Sequence, residues 1–389
     1  MLYKNTTISI ISRAMVSFSY GYLIVILPLY LLYVLHYPLI IVGSILFAAM
    51  LLNSVMTFIL GMAADHYGRK YVLMILYLVF AVVSLLFLYT RNVYLITLFA
   101  GIGSFTAGST GGPIGSGGPF GAVQNAVIAE EIEKKKLPKI LGYAAIIEMM
   151  AAMAGSFIIP LVSSFHFYIY DLFYVSAAFG FASFFTSFFM KDFGVRSKKF
   201  LPSISYRNIA NLSIPTIPCG LGSGMILPVL AVWLEFRYHS SASTVGTLFG
   251  IIDIAVVLSL LLMPRVAKYV GRLKIIVISR VFASLSLIAV AFSPIFLVAA
   301  GLLVLRGAFA MGAVPVRQSF VMTNVHETER ASTNGATSLN RNSASAFGPL
   351  ISGFMLSDLY AYIPLVGGII TMADPILYFV MFKDQWNEK

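Results

Sequence analysis

Long apolar runs alternate with short polar or turn-rich segments along almost the entire chain. Each run has about 20 or more mostly apolar residues, enough for a helix to cross a hydrocarbon layer of roughly 30 Å. The pattern therefore predicts an all-α membrane protein. We predict twelve spanning helices, spans 1 to 12, at about residues 6–34, 39–63, 71–89, 93–129, 139–163, 168–190, 207–234, 242–263, 273–292, 294–322, 331–356 and 360–382.

The composition agrees with this prediction and limits the possible chemistry. Of the 389 residues, 59% are hydrophobic and only 11% are charged, more apolar surface than a soluble fold can bury. The single cysteine, Cys219, excludes an internal disulfide and a multi-cysteine metal site, and the five histidines have no metal-ligand spacing. We find no nucleophile with a base at helical spacing, so we expect no enzyme, no cofactor and no metal.

The net charge of +11 is distributed unevenly over the predicted loops. Twenty of the 26 Lys and Arg residues lie in the termini and in the connections on one side of the spans. The positive-inside rule therefore predicts that both termini are cytoplasmic in a multi-pass protein of the cytoplasmic membrane. The same rule explains the basic balance, so we expect no nucleic-acid partner.

The sequence contains an internal repeat. At offsets of 200 to 203 residues, matching features recur: Ile-Leu-Pro at 26–28 and 226–228, Gly43 and Gly246, and Gly-Arg at 68–69 and 271–272. The repeat predicts two six-helix halves at 1–190 and 207–389, and the polar, basic segment 191–206 between them is typical of a cytoplasmic linker.

A glycine-rich stretch, GSTGGPIGSGGPFG at 108–121, lies inside span 4. Beyond it the repeat offset falls to 194 and 193, for Gln124 with Gln318 and for Gly155 with Gly348. Span 4 thus has about nine extra residues, which predict a break in the helix within or near the membrane. The break either faces the substrate, with Pro119 starting a half-helix towards an anion, or is a loop or close helix contact without such a role. No phosphate-loop motif follows the glycines.

The connection after span 2, GMAADHYGRK at 61–70, resembles a motif of the major facilitator superfamily. The matching residues are Gly61, Asp65, Gly68, Arg69 and Lys70. The resemblance implies a gate latch at this turn, and a fold of twelve helices in two pseudo-symmetric six-helix bundles. In the second copy of the motif Lys268 replaces the aspartate, so an equivalent acidic latch is not expected there.

The same resemblance implies that helices 1, 4, 7 and 10 line a central cavity and that helices 2, 5, 8 and 11 flank it. An ionisable residue at a helix centre costs at least about 2.5 kcal/mol in lipid, so each such residue should face the protein interior. Seven residues meet this condition: Arg13, Glu148, Asp253, Arg280, Arg306, Arg341 and Asp374.

Two of these acids are candidates for proton coupling. Glu148 lies at the centre of span 5, and Asp253 lies at the centre of span 8, which the superfamily fold places beside span 5. Neighbouring carboxylates in a low-dielectric cavity raise each other's proton affinity, which suits a group that binds and releases protons. The alternative is a set of fixed structural ion pairs, Arg341 with Glu148 and Arg306 with Asp374.

Arg13 and Arg341 are the candidate substrate clamps, because a guanidinium binds carboxylate or phosphate with two hydrogen bonds and keeps its charge. Tyr20, Asn53 and Gln124 are polar candidates for the cavity wall, with helix packing as the alternative role.

Together these features predict a secondary transporter that moves a small solute by alternating access. We expect it to be driven by protons, with an anion as one candidate substrate, and to act as a monomer among lipids. An uncoupled uniporter and a proton-driven efflux antiporter for amphipathic compounds are the alternatives.

Overall fold

A computed structural model describes residues 3–106, 118–133, 136–164, 168–191, 214–323 and 330–386. Every regular element in these ranges is helical. The α-helices are α1 Lys4–Leu29, α2 Leu39–Tyr67, α3 Arg69–Phe87, α4 Val93–Ile102, α5 Gly118–Glu131, α6 Leu137–Ser164, α7 Leu172–Ser187, α8 Thr216–Ile226, α9 Leu230–Tyr238, α10 Ala242–Val270, α11 Arg272–Ala291, α12 Phe296–Gly312, α13 Val314–Thr323, α14 Arg330–Asp358 and α15 Ile363–Phe382.

The helices agree with the predicted membrane spans. Within the described residues, ten helical stretches are long and apolar enough to cross a membrane, and they correspond to spans 1 to 3, 5 to 10 and 12. Span 11 corresponds to α14, which has 29 residues but is rich in Ser, Asn and Thr. Span 4 corresponds to α4 and α5, and α4 alone is only 10 residues long. The fold is therefore an all-α membrane protein, consistent with twelve spans.

Span 4 is interrupted, as the glycine-rich sequence predicts. Asn92 caps the start of α4 by accepting backbone N–H groups, and α4 ends at Ile102. The chain then turns over residues 103–106, and α5 begins at Gly118, whose φ is 75°. Pro119 is the second residue of α5. Residues 107–117, most of the glycine-rich stretch, lie outside the described residues.

The predicted repeat is visible in two equivalent turns. Gly68 joins α2 to α3 with φ 106°, and Gly271 joins α10 to α11 with φ 105°. Positive φ values of this size favour glycine, because a side chain would be strained there. The same glycine-dependent turn thus recurs at the same place in both halves.

The halves contact each other mainly through two helix pairs, α2 with α14 and α6 with α10. A Cβ atom on Gly43 of α2 would lie 2.8 Å from the Cα of Gly353 in α14. A Cβ atom on Gly246 of α10 would lie 2.9 Å from the Cβ of Ile159 in α6. Small residues therefore permit both crossings. Except for Lys191, the predicted linker 191–206 lies outside the described residues, and the domain boundaries remain a prediction.

The largest apolar core extends through both halves, and some of its buried polar groups bond to neighbouring helices. The hydroxyl group of Tyr22 lies 2.7 Å from the hydroxyl group of Ser176 in α7. The indole N–H of Trp233 in α9 donates to the carbonyl oxygen of Tyr360 at 2.8 Å. Buried aromatic residues with polar tips are thus anchored on neighbouring helices.

Candidate functional site

The turn that contains the gate motif is tied to the end of α5. Arg69 donates to the carbonyl oxygen of Ala126 at 2.7 Å and lies 3.4 Å from a carboxylate oxygen of Glu130. Gly61 has open space around it. Asp65 belongs to the same motif, but its side chain lies outside the described residues.

The same end of the N-terminal half brings together two further helix ends, those of α1 and α7. Lys70 donates to the carbonyl oxygens of Phe188 and Met190, at 3.0 and 2.6 Å. The backbone N–H groups of Asn5 and Thr6, at the start of α1, donate to the carboxylate of Glu131 at 3.2 and 2.7 Å. A carboxylate at a helix N-terminus is electrostatically favourable. The gate motif therefore lies in a polar network that fixes α1, α3, α5 and α7 relative to one another.

Four predicted site residues, Arg13, Tyr20, Gln124 and Glu148, meet with Phe120 in a buried group that we call the N-half cluster. Arg13 is 0% exposed, and its Nε lies 4.0 Å from Oε2 of Glu148. Gln124 donates to Oε1 of Glu148 at 2.7 Å. The rings of Tyr20 and Phe120 lie 5.2 and 5.0 Å from the guanidinium carbon of Arg13, within cation–π range. The N-half cluster thus pairs one buried cation with one buried anion.

The predicted ion pair of Arg341 with Glu148 is wrong, because Glu148 pairs with Arg13 instead. The helix packing explains this result. Helix α6 packs against α1 and α10, whereas α14 packs against α2 and α8. Asn53 is buried on α2, but no described contact joins it to the N-half cluster.

A second buried group, the C-half cluster, consists of Cys219, Ser223, Arg280, Arg306 and Asp374. Nε of Arg280 lies 3.4 Å from Oδ2 of Asp374, and its NH1 donates to Sγ of Cys219 at 2.6 Å. Arg306 donates to the hydroxyl oxygen of Ser223 at 3.3 Å. The predicted pair of Arg306 with Asp374 is therefore wrong. Arg280 takes that place because α11, which carries it, packs against α15.

Arg341 lies beside the C-half cluster. It is 9% exposed and donates to Oδ1 of Asn342 at 3.4 Å. Its carbonyl oxygen faces Gly220 of α8, and Arg280 and Asp374 lie within electrostatic range of its guanidinium. The two predicted substrate clamps, Arg13 and Arg341, thus belong to different halves.

Asp253 lies at the contact between the halves. It is 1% exposed on α10, and Oδ2 lies 3.4 Å from the hydroxyl oxygen of Ser156 on α6. The same hydroxyl oxygen lies 3.0 Å from the carbonyl oxygen of Gly21 and 3.2 Å from that of Ala152. Glu148 precedes Ser156 by eight residues, about 12 Å along α6. Glu148 and Asp253 are therefore separated by about two helical turns rather than paired.

A sequence profile decides the family. The profile described as Major Facilitator Superfamily matches residues 9–203 and 212–387. The chain belongs to the major facilitator superfamily. No curated protein sequence matches this superfamily member.

Solved structures agree on the fold. A mutant of the nucleoside transporter NupG is 16% identical with a TM-score of 0.78, over 97% of this chain and 100% of that one. An auto-inhibited POT family peptide transporter is 11% identical with a TM-score of 0.78, over 98% and 97%. The human organic anion transporter MFSD10 is 12% identical with a TM-score of 0.66, over 96% and 98%. At these identities the comparisons establish the fold alone, and the superfamily establishes a multi-pass membrane transporter.

Sequence reasoning missed four residues of these sites: Phe120, Ser156, Cys219 and Ser223. Cys219 and Ser223 are four residues apart, so they share one face of α8, and this spacing was visible in the sequence. Ser156 follows Gly155, an anchor of the repeat, but serine is too common to be singled out. The arginines and aspartate of the C-half cluster were recognised as membrane charges without their correct partners.

Proposed function

We propose that this superfamily member is a secondary active transporter that moves a small solute across the cytoplasmic membrane by alternating access, with protons as the driving ion. Both termini are cytoplasmic in this proposal, as the distribution of basic residues predicts. The protein acts as a monomer surrounded by lipids. The two helix pairs that join the halves, α2 with α14 and α6 with α10, provide the surfaces about which the halves move.

The environment of Asp253 supports the proton coupling. A serine hydroxyl has one hydrogen to donate, and the carbonyl oxygens of Gly21 and Ala152 are both nearer to Ser156 than Asp253 is. When that hydrogen points to a carbonyl oxygen, a lone pair of Ser156 faces Oδ2 of Asp253. A hydrogen bond between them then requires a proton on Asp253.

The absence of a counter-ion near Asp253 also supports a protonated carboxyl group. No Lys or Arg in the described part of the chain lies within ion-pair distance of Asp253, and an unpaired buried carboxylate is costly. We therefore propose that Asp253 carries a proton while the halves are in contact here and releases it when they separate and water enters. This buried acid at the contact between the halves is the observation on which the proposed function depends.

The other sequence candidates receive different roles in the proposal. Glu148 is already engaged by Arg13 and Gln124, so the contacts favour Asp253 over Glu148 as the coupling group. Arg341 remains a substrate-binding candidate, whereas Arg13, Tyr20 and Gln124 hold one another inside the N-terminal half. Asn53 remains a candidate for the cavity wall, since its Nδ2 has no hydrogen-bond partner among the described residues.

The test is solute-induced proton movement in proteoliposomes that contain a pH-sensitive dye. A panel of carboxylates, phosphate, nucleosides, peptides and amphipathic cations is added under a pH gradient. We expect one class to move protons with the wild type and not with Asp253→Asn. The variant should retain exchange of that solute between the two sides, because exchange needs no net proton transfer. Asp171→Asn, an exposed aspartate on a connecting segment, is the matched control and should behave as the wild type.

The outcomes separate the alternatives. Solute flux without proton movement in the wild type would indicate a uniporter. Proton movement opposite to the solute, with amphipathic compounds alone, would indicate an efflux antiporter. Equal proton movement with the wild type and with Asp253→Asn would refute the assigned role of Asp253.

A further inference from the structure

The C-half cluster borders a small cavity between α8, α11, α12 and α15. Its polar lining consists of Cys219, Ser223, Ser284, Arg280, Arg306, Thr371 and Asp374. The space measures about 250 Å³ including its open mouth, but the enclosed part has room for only about one water molecule. A single small polar group that enters from the open side therefore fits, and a whole organic molecule does not.

The charges around this cavity do not balance. Arg280 and Arg306 both line it, and Asp374 is the only carboxylate among the described lining residues. Asp374 lies 3.4 Å from Arg280. Arg306 is 6% exposed, and its only described polar contact is the hydroxyl oxygen of Ser223 at 3.3 Å. Since arginine keeps its charge in proteins, one buried positive charge lacks a counter-ion in the cavity lining.

The shape of the Arg306 guanidinium determines which kind of anion can pair with it. A buried charge without a partner is strongly unfavourable. The planar guanidinium of Arg306 matches the paired oxygens of a carboxylate or phosphate. Ser223 accepts a hydrogen bond from Arg306, so its own hydrogen remains available for an oxygen of the same anion.

We propose that this cavity is a subsite for one oxyanion group, a carboxylate or a phosphate, of the transported solute, with Arg306 and Ser223 as its ligands. The inference rests on the proposed transport function and deepens it by assigning a substrate class and a position. It moves the anion-binding role expected for Arg13 to a site inside the C-terminal half, beside which Arg341 lies.

Cys219 offers a competing source of negative charge. Its sulfur lies 2.6 Å from NH1 of Arg280, and a thiolate there would neutralise the excess charge without any ligand. The Cys219→Ala variant distinguishes the two cases. If a ligand balances the charge, this variant should bind oxyanions about as the wild type does.

The experiment is calorimetric titration of the purified full-length protein in detergent at constant ionic strength. The probes are inorganic phosphate, sulfate, acetate and succinate, with chloride as the reference. We expect a phosphate or carboxylate probe to bind the wild type above the chloride background. Arg306→Gln should weaken its Kd by about tenfold or more, because a charge-assisted hydrogen bond is lost. Arg237→Gln, an arginine of the same half outside the cavity, is the matched control and should leave Kd unchanged.

A second set of variants keeps the test valid if Arg306→Gln does not fold. The thermal unfolding of each variant is measured without probe anions. If Arg306→Gln does not fold, Ser223→Ala and Arg306→Lys replace it, and each should weaken binding several-fold. Equal Kd values for the wild type and these variants, no binding above chloride, or binding that appears only in Cys219→Ala would each overturn the inference.

The result is separable from that of the proton-coupling test, since binding in detergent requires no gradient. Oxyanion binding that depends on Arg306, without proton movement in liposomes, would reject the proton coupling and keep this subsite. Proton-driven transport of neutral or cationic solutes, without oxyanion binding, would keep the proton coupling and reject this subsite.

Discussion

The N-half and C-half clusters differ in how their buried charges are balanced. In the N-half cluster one arginine, Arg13, faces one glutamate, Glu148, and Gln124 supports the carboxylate. In the C-half cluster two arginines share one aspartate, so Arg306 has only a hydroxyl group. In the first arrangement one cation and one anion balance each other, whereas we propose that the charges of the second balance only with a ligand.

The two clusters nevertheless lie beside close helix contacts that are repeated in both halves. Gly155 of α6 lies against the backbone of Phe18 in α1, and Gly348 of α14 lies against the backbone of Gly224 in α8. These glycines occupy equivalent positions in the repeat. The two halves therefore share a scaffold of close helix contacts, on which one half carries a closed ion pair and the other an open site.

The largest expected change in the free energy of unfolding comes from a substitution in the N-half cluster. Glu148→Gln leaves Arg13 without its charge partner and should lower the free energy of unfolding by about 3–5 kcal/mol, as is typical when one member of a buried pair is removed. Unfolding in mixed micelles measures this change. The double variant Arg13→Gln with Glu148→Gln should recover part of the loss, and additive losses in the double variant would argue against a closed pair.

The next largest change in stability tests whether the two halves share the same close helix contacts. Gly155→Ala and Gly348→Ala each place a methyl group against the backbone of a neighbouring helix. Each should cost about 1–3 kcal/mol, as overpacking does. Similar thermal shifts for the two variants would support equivalent packing, while a large shift in one and none in the other would contradict it.

A smaller effect is expected at the gate turn. The side chains of Arg69 and Glu130 are 20% and 13% exposed, so solvent screens their ion pair partly. Arg69→Gln should therefore lower the free energy of unfolding by only about 1 kcal/mol, well below the effect of Glu148→Gln. Its effect on transport should be larger than this cost suggests, since Arg69 also holds α5 through Ala126. Parallel unfolding and flux measurements compare the two quantities.

The smallest effect, with the opposite sign, is expected in the C-half cluster. In the absence of anions, Arg306→Gln removes a buried charge that has no carboxylate partner. Its free energy of unfolding should be unchanged or slightly higher than that of the wild type. A loss comparable to that of Glu148→Gln would mean that Arg306 is compensated within the protein.

The sequence predicted helices and turns better than side-chain partners. Apolar length predicts a span because the hydrocarbon thickness imposes it, and Gly68 and Gly271 mark turns because few other residues tolerate their φ values. Glu148 and Arg341 are 193 residues apart, the offset that also relates Gly155 to Gly348, and this match predicts similar depth but not contact. Residues at equivalent positions belong to opposite halves, and contact depends on which helices pack together. Arg13 and Arg280 could be named as partners only once that packing was known.

The most direct test of the central claim is infrared spectroscopy of the purified protein, followed through the stretching band of protonated carboxyl groups. If Asp253 stores the transported proton where the halves meet, the wild type shows this band at neutral pH. Asp253→Asn should lose a component that Glu148→Gln retains. A band unchanged by Asp253→Asn, or a component lost only in Glu148→Gln, would contradict the account.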